Sequence, residues 1–353
     1  MKTLNFLFSI LLQGIFLTPV TGIVYYVKPT SPNTNCTGLP CHTIQYYFDN
    51  VNTAINNQQN VTMILMSGTH IATSRISLNG EVTITVPIMN MTGEGQGVVL
   101  NGNDELHVSL KFGSFTEVSL SNIVIIKWEL WIYPSMTSNV NGVSFAIENC
   151  TLIGSLLHVL VSGVIEQTGT NINQSLAKNT QTSTLTMSHV KTYQSELDIY
   201  TNLLHSLKFD SCDFYDGNLD INLYVDGEGM IMENCKLIRN PLNIRYSNAV
   251  VISGVSLFTG TDQSSAISSY VSNITLSGVV VFSNNNGIRG GAMALYSSTL
   301  NMAPGTNVLF VNNRAEDTGG AIYINPSLGP NNLLSITEHA IFRNTKQDEH
   351  TYP

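Results

Sequence analysis

The chain contains 353 residues, of which 11% are charged, and its formal net charge at pH 7 is -9. Lys and Arg are too few to form the cationic surface that holds a phosphate backbone, so the composition excludes a nucleic-acid partner. After residue 22 no apolar segment reaches the length needed to cross a bilayer, so we expect no membrane span once the first 22 residues are removed.

Residues 1–22 have the features of a cleavable secretory signal peptide. Lys2 supplies one positive charge, an uncharged apolar run extends from Leu4 to Leu17, and the segment ends with small residues at Gly22. We predict a mature protein that begins at Ile23 and is secreted or held at the cell surface. An uncleaved anchor or an ordinary buried strand is the alternative.

The Asn-X-Ser/Thr sequons agree with secretion, because they are the acceptors for N-linked glycans. Five of them are predicted to carry glycans: Asn35, Asn60, Asn90, Asn173 and Asn273. A sixth, at Asn149, coincides with a predicted bend. Its side chain is expected to pack within the coil, so this sequon ranks last.

Residues 23–60 are predicted to form an N-terminal cap. Cys36 and Cys41 are near enough to close a small disulfide loop in an oxidising compartment. Apolar residues at i, i+3, i+4 and i+7 then predict an amphipathic helix from His42 to Asn52, with Thr43 as its N-cap. Such a helix would cover the apolar edge of the first coil; a peripheral surface helix is the alternative.

Residues 61–353 are predicted to form one solenoid of short strands. Early strands are expected at 61–66, 82–86 and 98–100, separated by turns that contain Gly. Between Val118 and Val281 the pattern apolar-x-apolar-x-bend-apolar-x-apolar is then written seven times. Apolar residues at every second position predict a strand, and the shift of this alternation by one residue at the bend predicts a corner. The predicted corner residues are Asn122, Asn149, His189, Ser211, Asn234, Gly254 and Gly278.

A left-handed backbone at a single residue suits Asn, His and Gly, so it accounts for six of the corners and leaves Ser211 as the exception. His189 is interpreted as a structural substitute for Asn. The residues that flank each bend are predicted to face the core. In the last two copies these residues include Val255, Leu257, Val279 and Val281. The first residue after the bend recurs at 190, 212, 235, 255 and 279, which is the spacing of one coil of a solenoid.

Three cysteines occupy the same place in the pattern, directly after the bend: Cys150, Cys212 and Cys235. They are predicted to be buried thiols that pack in the core. Cys212 and Cys235 fall on neighbouring coils, and a disulfide between them is the alternative. We do not favour the disulfide, because in-register side chains of neighbouring parallel strands point in the same direction and not towards each other.

Two segments are longer than a turn between coils requires, 127–141 and 166–184. Extra length on a solenoid is displayed at one face, where binding surfaces commonly form. The first segment contains Trp128, Trp131 and Tyr133, which are our ligand-contact candidates because aromatic rings stack on sugars and anchor protein partners. The alternative is that these rings plug the side of the solenoid.

The C-terminal part contains a second repeat, Phe-x-x-Asn followed by Gly-Gly-Ala. It begins at Phe282 and again at Phe310, with glycine pairs at 290–291 and 319–320. A third round begins at Phe342 but has no glycine pair. The last coil is therefore predicted to be incomplete, and the sequence to be truncated.

The coil pattern resembles that of right-handed parallel β-helix proteins, the pectate-lyase-like superfamily, in which Asn often occupies the tight bend. The resemblance extends to the cap, through Pro40 to Ile44 and Ile64 to Thr69. The C-terminal repeats are similar to those of chlamydial polymorphic outer-membrane proteins, which are surface adhesins, and to those of secreted β-helix proteins of animals. The resemblance implies an all-β fold, a right-handed parallel β-helix solenoid with an N-terminal capping helix.

Enzymes of the pectate-lyase-like superfamily use acidic residues on outward positions of adjacent coils. In this chain acidic residues concentrate at Asp210, Asp213, Asp216, Asp220, Asp226 and Glu228. Asp210 and Glu233 are expected outward on neighbouring coils, where two carboxylates about 5 Å apart would suit a retaining glycosidase. No Asp-Asp pair and no Arg-x-Lys motif accompanies them. The alternative is a solvated face or a loop that binds Ca²⁺ weakly; no other metal or cofactor is predicted.

These observations predict a secreted, non-catalytic β-helix that recognises an extracellular glycan or protein, as an adhesin does. The alternative is a polysaccharide lyase or glycoside hydrolase that uses Asp210 and Glu233. The fold by itself does not decide between them, because one architecture hosts many functions.

Overall fold

The computed structural model describes residues 22–30, 41–49, 60–71, 81–84, 88–95, 97–102, 108–112, 117–132, 144–161, 183–201, 204–223, 229–325, 334–335, 340–343 and 346–347. These residues form three long parallel sheets, one short sheet and one short helix. The predicted fold class, a parallel β-helix solenoid, is therefore confirmed. No helix in these ranges is long and apolar enough to cross a membrane.

Sheet 1 contains thirteen strands, and its strands carry the first half of the repeated pattern. They are β1 (Gly22–Lys28), β2 (Cys41–Thr43), β3 (Asn60–Leu65), β6 (Ile88–Gly93), β9 (Glu117–Ser121), β12 (Ser144–Glu148), β15 (Ser183–Ser188), β18 (Leu204–Asp210), β21 (Gly229–Glu233), β24 (Val250–Ser253), β27 (Asn273–Leu276), β31 (Thr299–Met302) and β35 (Leu334–Ser335).

Sheet 2 contains eleven strands, which follow the predicted bend. They are β4 (Gly68–Ile71), β7 (Val98–Asn101), β10 (Val124–Ile126), β13 (Thr151–Ile153), β16 (Lys191–Tyr193), β19 (Asp213–Tyr215), β22 (Lys236–Ile238), β25 (Val255–Thr259), β28 (Val279–Ser283), β32 (Asn307–Val311) and β36 (Ala340–Arg343).

Sheet 3 contains ten strands and completes each coil. They are β5 (Glu81–Ile84), β8 (Val108–Phe112), β11 (Trp128–Ile132), β14 (Leu156–Val161), β17 (Glu196–Thr201), β20 (Asn218–Leu223), β23 (Leu242–Arg245), β26 (Ile267–Tyr270), β30 (Met293–Tyr296) and β34 (Ile322–Asn325). Sheet 4 is short and contains β29 (Asn286–Arg289), β33 (Arg314–Thr318) and β37 (Lys346–Gln347).

All seven predicted corners have a left-handed backbone, with φ between 51° and 77°. The expectation that Ser211 is an exception is wrong: its φ is 55°, and its hydroxyl donates to Asp210 Oδ1 at 3.0 Å. A second series of left-handed corners joins sheet 2 to sheet 3, and the sequence pattern did not reveal it. Its members are Lys127, Gly154, Gln194, Asp216, Arg239 and Gly260.

The inward side chains of the first five copies are buried as predicted, but the last two copies differ after the bend. Val255 is 67% exposed and Val279 is 40% exposed, whereas the next residues, Ser256 and Val280, are buried. The corner in these coils gains a residue after the glycine, so every side chain that follows changes face. Phe258 and Phe282 consequently occupy core positions that were predicted for their neighbours Leu257 and Val281. This correction places the Phe-x-x-Asn repeat in the core.

The short helix α1 (Ile44–Asp49) lies where the capping helix was predicted. Thr43 is its N-cap, because its Oγ1 accepts a hydrogen bond from the Tyr46 backbone N–H at 3.3 Å. Ile44 and Tyr47 are buried, and the Tyr47 hydroxyl donates to the Tyr26 carbonyl at 3.3 Å. The predicted end of this helix at Asn52 lies outside the described residues.

Several other predictions also concern residues that the structure does not describe. They are the signal peptide at 1–22 except Gly22, the Cys36 partner of the predicted disulfide, the sequons at Asn35 and Asn173, Tyr133, the segment 166–182, and the acidic residues Asp226 and Glu228. They stay predictions.

Candidate functional site

The predicted carboxylate pair lies on the outer face of sheet 1. Asp210 on β18 and Glu233 on β21 are in-register partners, as expected. Lys208 lies beside them, with Nζ 3.6 Å from Asp210 Oδ2 and 3.9 Å from Glu233 Oε2. The lysine ammonium contacts both carboxylates, so the arrangement suits a solvated ion-pair network.

The other acidic residues of this segment do not form one site. Asp213 lies on sheet 2, 3.7 Å from Lys236 Nζ, and Asp216 lies at the next corner, where Arg239 Nη2 donates to its Oδ2 at 2.8 Å. That hydrogen bond lowers the pKa of the Asp216 carboxyl. Asp220 lies on sheet 3. A segment that is contiguous in sequence is thus distributed over all three faces, because one coil encircles the core.

The described part of the segment 127–141 is a corner at Lys127 and a regular strand, β11, so the prediction of extra length is wrong for these residues. The two tryptophans on β11 have opposite environments. Trp128 is 1% exposed and belongs to the core. The prediction that it contacts a ligand is therefore wrong, because β11 turns this side chain inward and the alternative reading, a ring that fills the solenoid, applies to it. Trp131 is three positions later and is partly exposed on the outer face of sheet 3.

Trp131 stands at one end of a cleft of about 320 Å³, which we name the aromatic–acidic cleft. It is lined by Trp131, His158, Asp198, Ile199, Tyr200, Asp220 and Asn222. Its outward side chains belong to the neighbouring strands β11, β14, β17 and β20. A parallel sheet places such side chains in columns about 4.8 Å apart, so residues distant in sequence converge.

The first half of the cleft is aromatic. The Trp131 and His158 rings stack with centroids 4.0 Å apart and an interplanar angle of 22°. Trp131 Nε1 donates to Glu129 Oε2 at 3.3 Å, which orients the indole. His158 Nδ1 lies 3.3 Å from Asp198 Oδ2, so the imidazole connects the aromatic half to the acidic half.

The second half of the cleft is acidic. Asp198 and Asp220 are in-register partners on β17 and β20. Asn222 Nδ2 donates to Asp220 Oδ1 at 3.4 Å, and Arg245 Nη2 lies 3.7 Å from Asp220 Oδ2. Burial raises the pKa of the Asp220 carboxyl; the Arg245 guanidinium opposes this shift and the Asp198 charge adds to it. Two neighbouring carboxyls in different environments are the arrangement that separates a proton donor from an ionised partner.

The sequence predicted Trp131 as a ligand-contact candidate and Asp220 as one of the concentrated acidic residues. It missed His158 and Asp198, and it did not bring Trp131 and Asp220 together. One signal was present: Leu-Asp-Ile occurs at 197–199 and again at 219–221, which is the spacing of one coil. The predicted pattern followed only the strands on either side of the first bend. The strands of sheet 3 were therefore not aligned with one another.

Three of the predicted glycosylation sites, Asn60, Asn90 and Asn273, lie on described strands. Asn273 is exposed, and its side-chain amide is engaged: Nδ2 donates to the Asn248 carbonyl at 3.1 Å and Oδ1 accepts from Thr299 Oγ1 at 2.8 Å. Asn90 is partly buried on β6, and Asn60 begins β3. Asn149 is exposed at its corner, so the reason for ranking its sequon last is wrong. Glycan attachment at these residues stays a prediction.

No family model matches this chain, and neither does any curated protein or solved structure. In the described parts of the chain, His, Cys, Asp and Glu side chains do not gather in groups of three that could hold a metal ion.

Proposed function

We propose that this protein is a secreted glycan-binding protein and that the aromatic–acidic cleft is its binding site. One observation carries the proposal: the stacked Trp131 and His158 rings continue along one outer face into the Asp198 and Asp220 carboxylates. Aromatic rings contact the apolar faces of sugar rings, and carboxylates accept hydrogen bonds from their hydroxyls. This proposal keeps the predicted recognition of an extracellular ligand and gives it a location.

Glycoside hydrolysis in the same cleft is a second candidate function. It is favoured by the raised pKa of Asp220 beside the Asp198 carboxylate, on strands about 4.8 Å apart. A retaining glycosidase uses carboxyls about 5 Å apart, one as the acid and one as the nucleophile. In that role Asp220 would protonate the leaving oxygen and Asp198 would attack the anomeric carbon. Asp210 and Glu233 are less suited, because they lie on sheet 1, on another face from the Trp131 and His158 rings of sheet 3.

The experiment is a calorimetric titration of the mature protein with neutral oligosaccharides of glucose, xylose and N-acetylglucosamine. Trp131→Ala is expected to weaken binding at least tenfold, about 1.4 kcal/mol, because the stacking surface is lost. The matched control is Tyr193→Ala, which removes a 38% exposed ring that stacks on Tyr215 on sheet 2. Equal affinity of Trp131→Ala and the native protein, or equal loss in both variants, contradicts the proposal.

The same samples distinguish binding from hydrolysis. Newly formed reducing ends are measured after incubation with each oligosaccharide. If the cleft is catalytic, Asp220→Asn abolishes their formation and Asp210→Asn does not. Binding without new reducing ends supports recognition alone and contradicts the hydrolase.

A further inference from the structure

A second cleft lies on the same face of the solenoid, nearer the C-terminal end. It measures about 270 Å³, and we name it the serine–tyrosine cleft. Its lining includes Gln263, Ser264, Ser268, Ile288, Arg289 and Tyr296. The lining combines uncharged hydrogen-bonding groups, an exposed aliphatic side chain and an aromatic ring, which is the chemistry that an uncharged sugar needs.

The floor of sheet 3 connects the two clefts. The column that contains Asp198 and Asp220 continues in register through Asn243, Ser268 and Ala294. These last three side chains are small: in the column itself no residue between Asp220 and Ala294 is larger than Asn. The Arg245 side chain reaches over this floor from the neighbouring column, with Nη2 3.7 Å from Asp220 Oδ2. We name the floor between the two clefts the path.

A parallel column forms one side of this path. It begins at Tyr200 and continues in register through Asn222, Arg245, Tyr270 and Tyr296. The Tyr270 and Tyr296 rings stack with centroids 4.5 Å apart and an interplanar angle of 5°. The path therefore has aromatic side chains at both ends, Trp131 at one and the tyrosine pair at the other.

The separation of the two ends sets the size of the ligand. From β11 to β30 the sheet order contains six strand-to-strand steps, and steps of about 4.8 Å place the ends ~29 Å apart. A monosaccharide or disaccharide contacts only one cleft. A linear oligosaccharide of several units contacts both clefts. Its affinity increases because the second contact forms within a complex whose translational freedom is already lost.

The charges along the path select against acidic chains. The aromatic–acidic cleft presents the carboxylates of Asp198 and Asp220, and Glu129 lies beside Trp131 at the aromatic end. The two guanidinium groups are already paired, Arg245 with Asp220 at 3.7 Å and Arg289 Nε with Asp317 Oδ2 at 3.0 Å. A polyuronate would bring its own carboxylates against these acidic residues, which is unfavourable.

On the basis of the proposed function, we infer that the ligand is a linear, uncharged polysaccharide that runs along the solenoid axis and contacts both clefts. This names the class of glycan and excludes polyuronates. It also assigns the serine–tyrosine cleft as a second subsite.

The experiment compares oligomers of increasing length. Glucose and N-acetylglucosamine oligomers, from dimers to octamers, and oligogalacturonates of the same lengths are titrated against the native protein. For the uncharged series, the affinity is expected to rise at least tenfold between the dimer and the longest oligomer. Oligogalacturonates are expected not to bind measurably.

Two variants separate this inference from the proposed function. Tyr296→Ala removes the second subsite, and Asn243→Tyr obstructs the path while leaving the lining of both clefts unchanged. Both variants are expected to bind the dimer as tightly as the native protein does and to lose the increase in affinity with oligomer length. Circular dichroism verifies that each variant is folded.

Three outcomes contradict the inference while Trp131-dependent binding stands. The affinity of the native protein does not increase with oligomer length, both variants retain that increase, or oligogalacturonates bind more tightly than the uncharged oligomers. If none of these oligomers binds, both fail.

Discussion

At the scale of single residues, each corner of the coil depends on one residue with a left-handed backbone. Asn122, Asn149 and Asn234 suit this conformation, whereas Ser211 adopts it at a cost because a Cβ crowds the adjacent carbonyl. Asn234 has a further role, since its Oδ1 accepts from the Val255 backbone N–H of the next coil at 3.0 Å. A Cβ on Gly254 would stand 2.2 Å from that oxygen, so glycine is required there. Neighbouring corners are therefore coupled.

Asp220 gives a prediction about pH at the same scale. Burial raises the pKa of the Asp220 carboxyl in the folded state. The protonated carboxyl therefore stabilises the fold fully below pH ~3.9, its pKa in the unfolded chain. This stabilisation is lost as the pH rises through the pKa of the folded state. Asp220→Asn does not ionise. The free energy of unfolding of this variant, relative to the native protein, is expected to increase between about pH 3 and about pH 7. Urea unfolding followed by circular dichroism measures it, and a difference that does not vary with pH contradicts the argument.

At the scale of elements, the C-terminal repeat is explained by packing in columns. Phe258, Phe282, Phe310 and Phe342 stack in succession, with ring centroids 4.9, 5.1 and 4.7 Å apart. Behind them, Asn285 Nδ2 donates to Asn313 Oδ1 at 2.9 Å inside the core. Such buried amides are tolerated because each one is hydrogen-bonded to a neighbouring coil. The Phe-x-x-Asn repeat therefore has a structural role.

Gly290, in the glycine pair of the repeat, and Gly305 together give a prediction that separates two causes of strain, a positive φ and a steric clash with the backbone. A Cβ on Gly290 would lie 2.0 Å from the Met293 carbonyl oxygen, whereas one on Gly305 meets nothing within 4 Å. Both residues have positive φ, 60° and 78°. Gly305→Ala is expected to lower the free energy of unfolding by ~1 kcal/mol, the cost of the backbone conformation. Gly290→Ala is expected to cost more than ~3 kcal/mol, because it adds a backbone clash.

Urea unfolding of the two alanine variants side by side measures this difference. Equal losses of stability would show that the close approach at Gly290 carries no cost.

At the scale of the whole molecule, the core is one continuous column enclosed by three sheets. Cys150, Cys212 and Cys235 lie within it as free, buried thiols, as predicted. Burial raises the pKa of the Cys150 thiol to about 11. A hydrogen bond with Cys212, together with burial, raises the pKa of Cys235. All three side chains are buried, so these thiols report whether the solenoid opens.

A pulse of iodoacetamide at about pH 8, followed by peptide mass spectrometry, is expected to leave all three thiols unlabelled in the native protein. In urea, labelling is expected to follow the same transition as the loss of β-structure by circular dichroism. Labelling of one cysteine before that transition would contradict a single cooperative unit and would locate the coil that opens first.

The sequence alone determined the repeat, six of the left-handed corners between sheets 1 and 2, the inward side chains of the first five copies and the burial of Cys150, Cys212 and Cys235. These features depend on alternation and on local backbone preference, which neighbouring residues encode. Only the tertiary structure decided the change of face after Gly254 and Gly278, and the convergence of residues 131, 158, 198 and 220 on sheet 3. The coils have unequal lengths, so the residues that become neighbours along the axis depend on the register between parallel strands. Hydrogen bonding across the whole sheet sets that register.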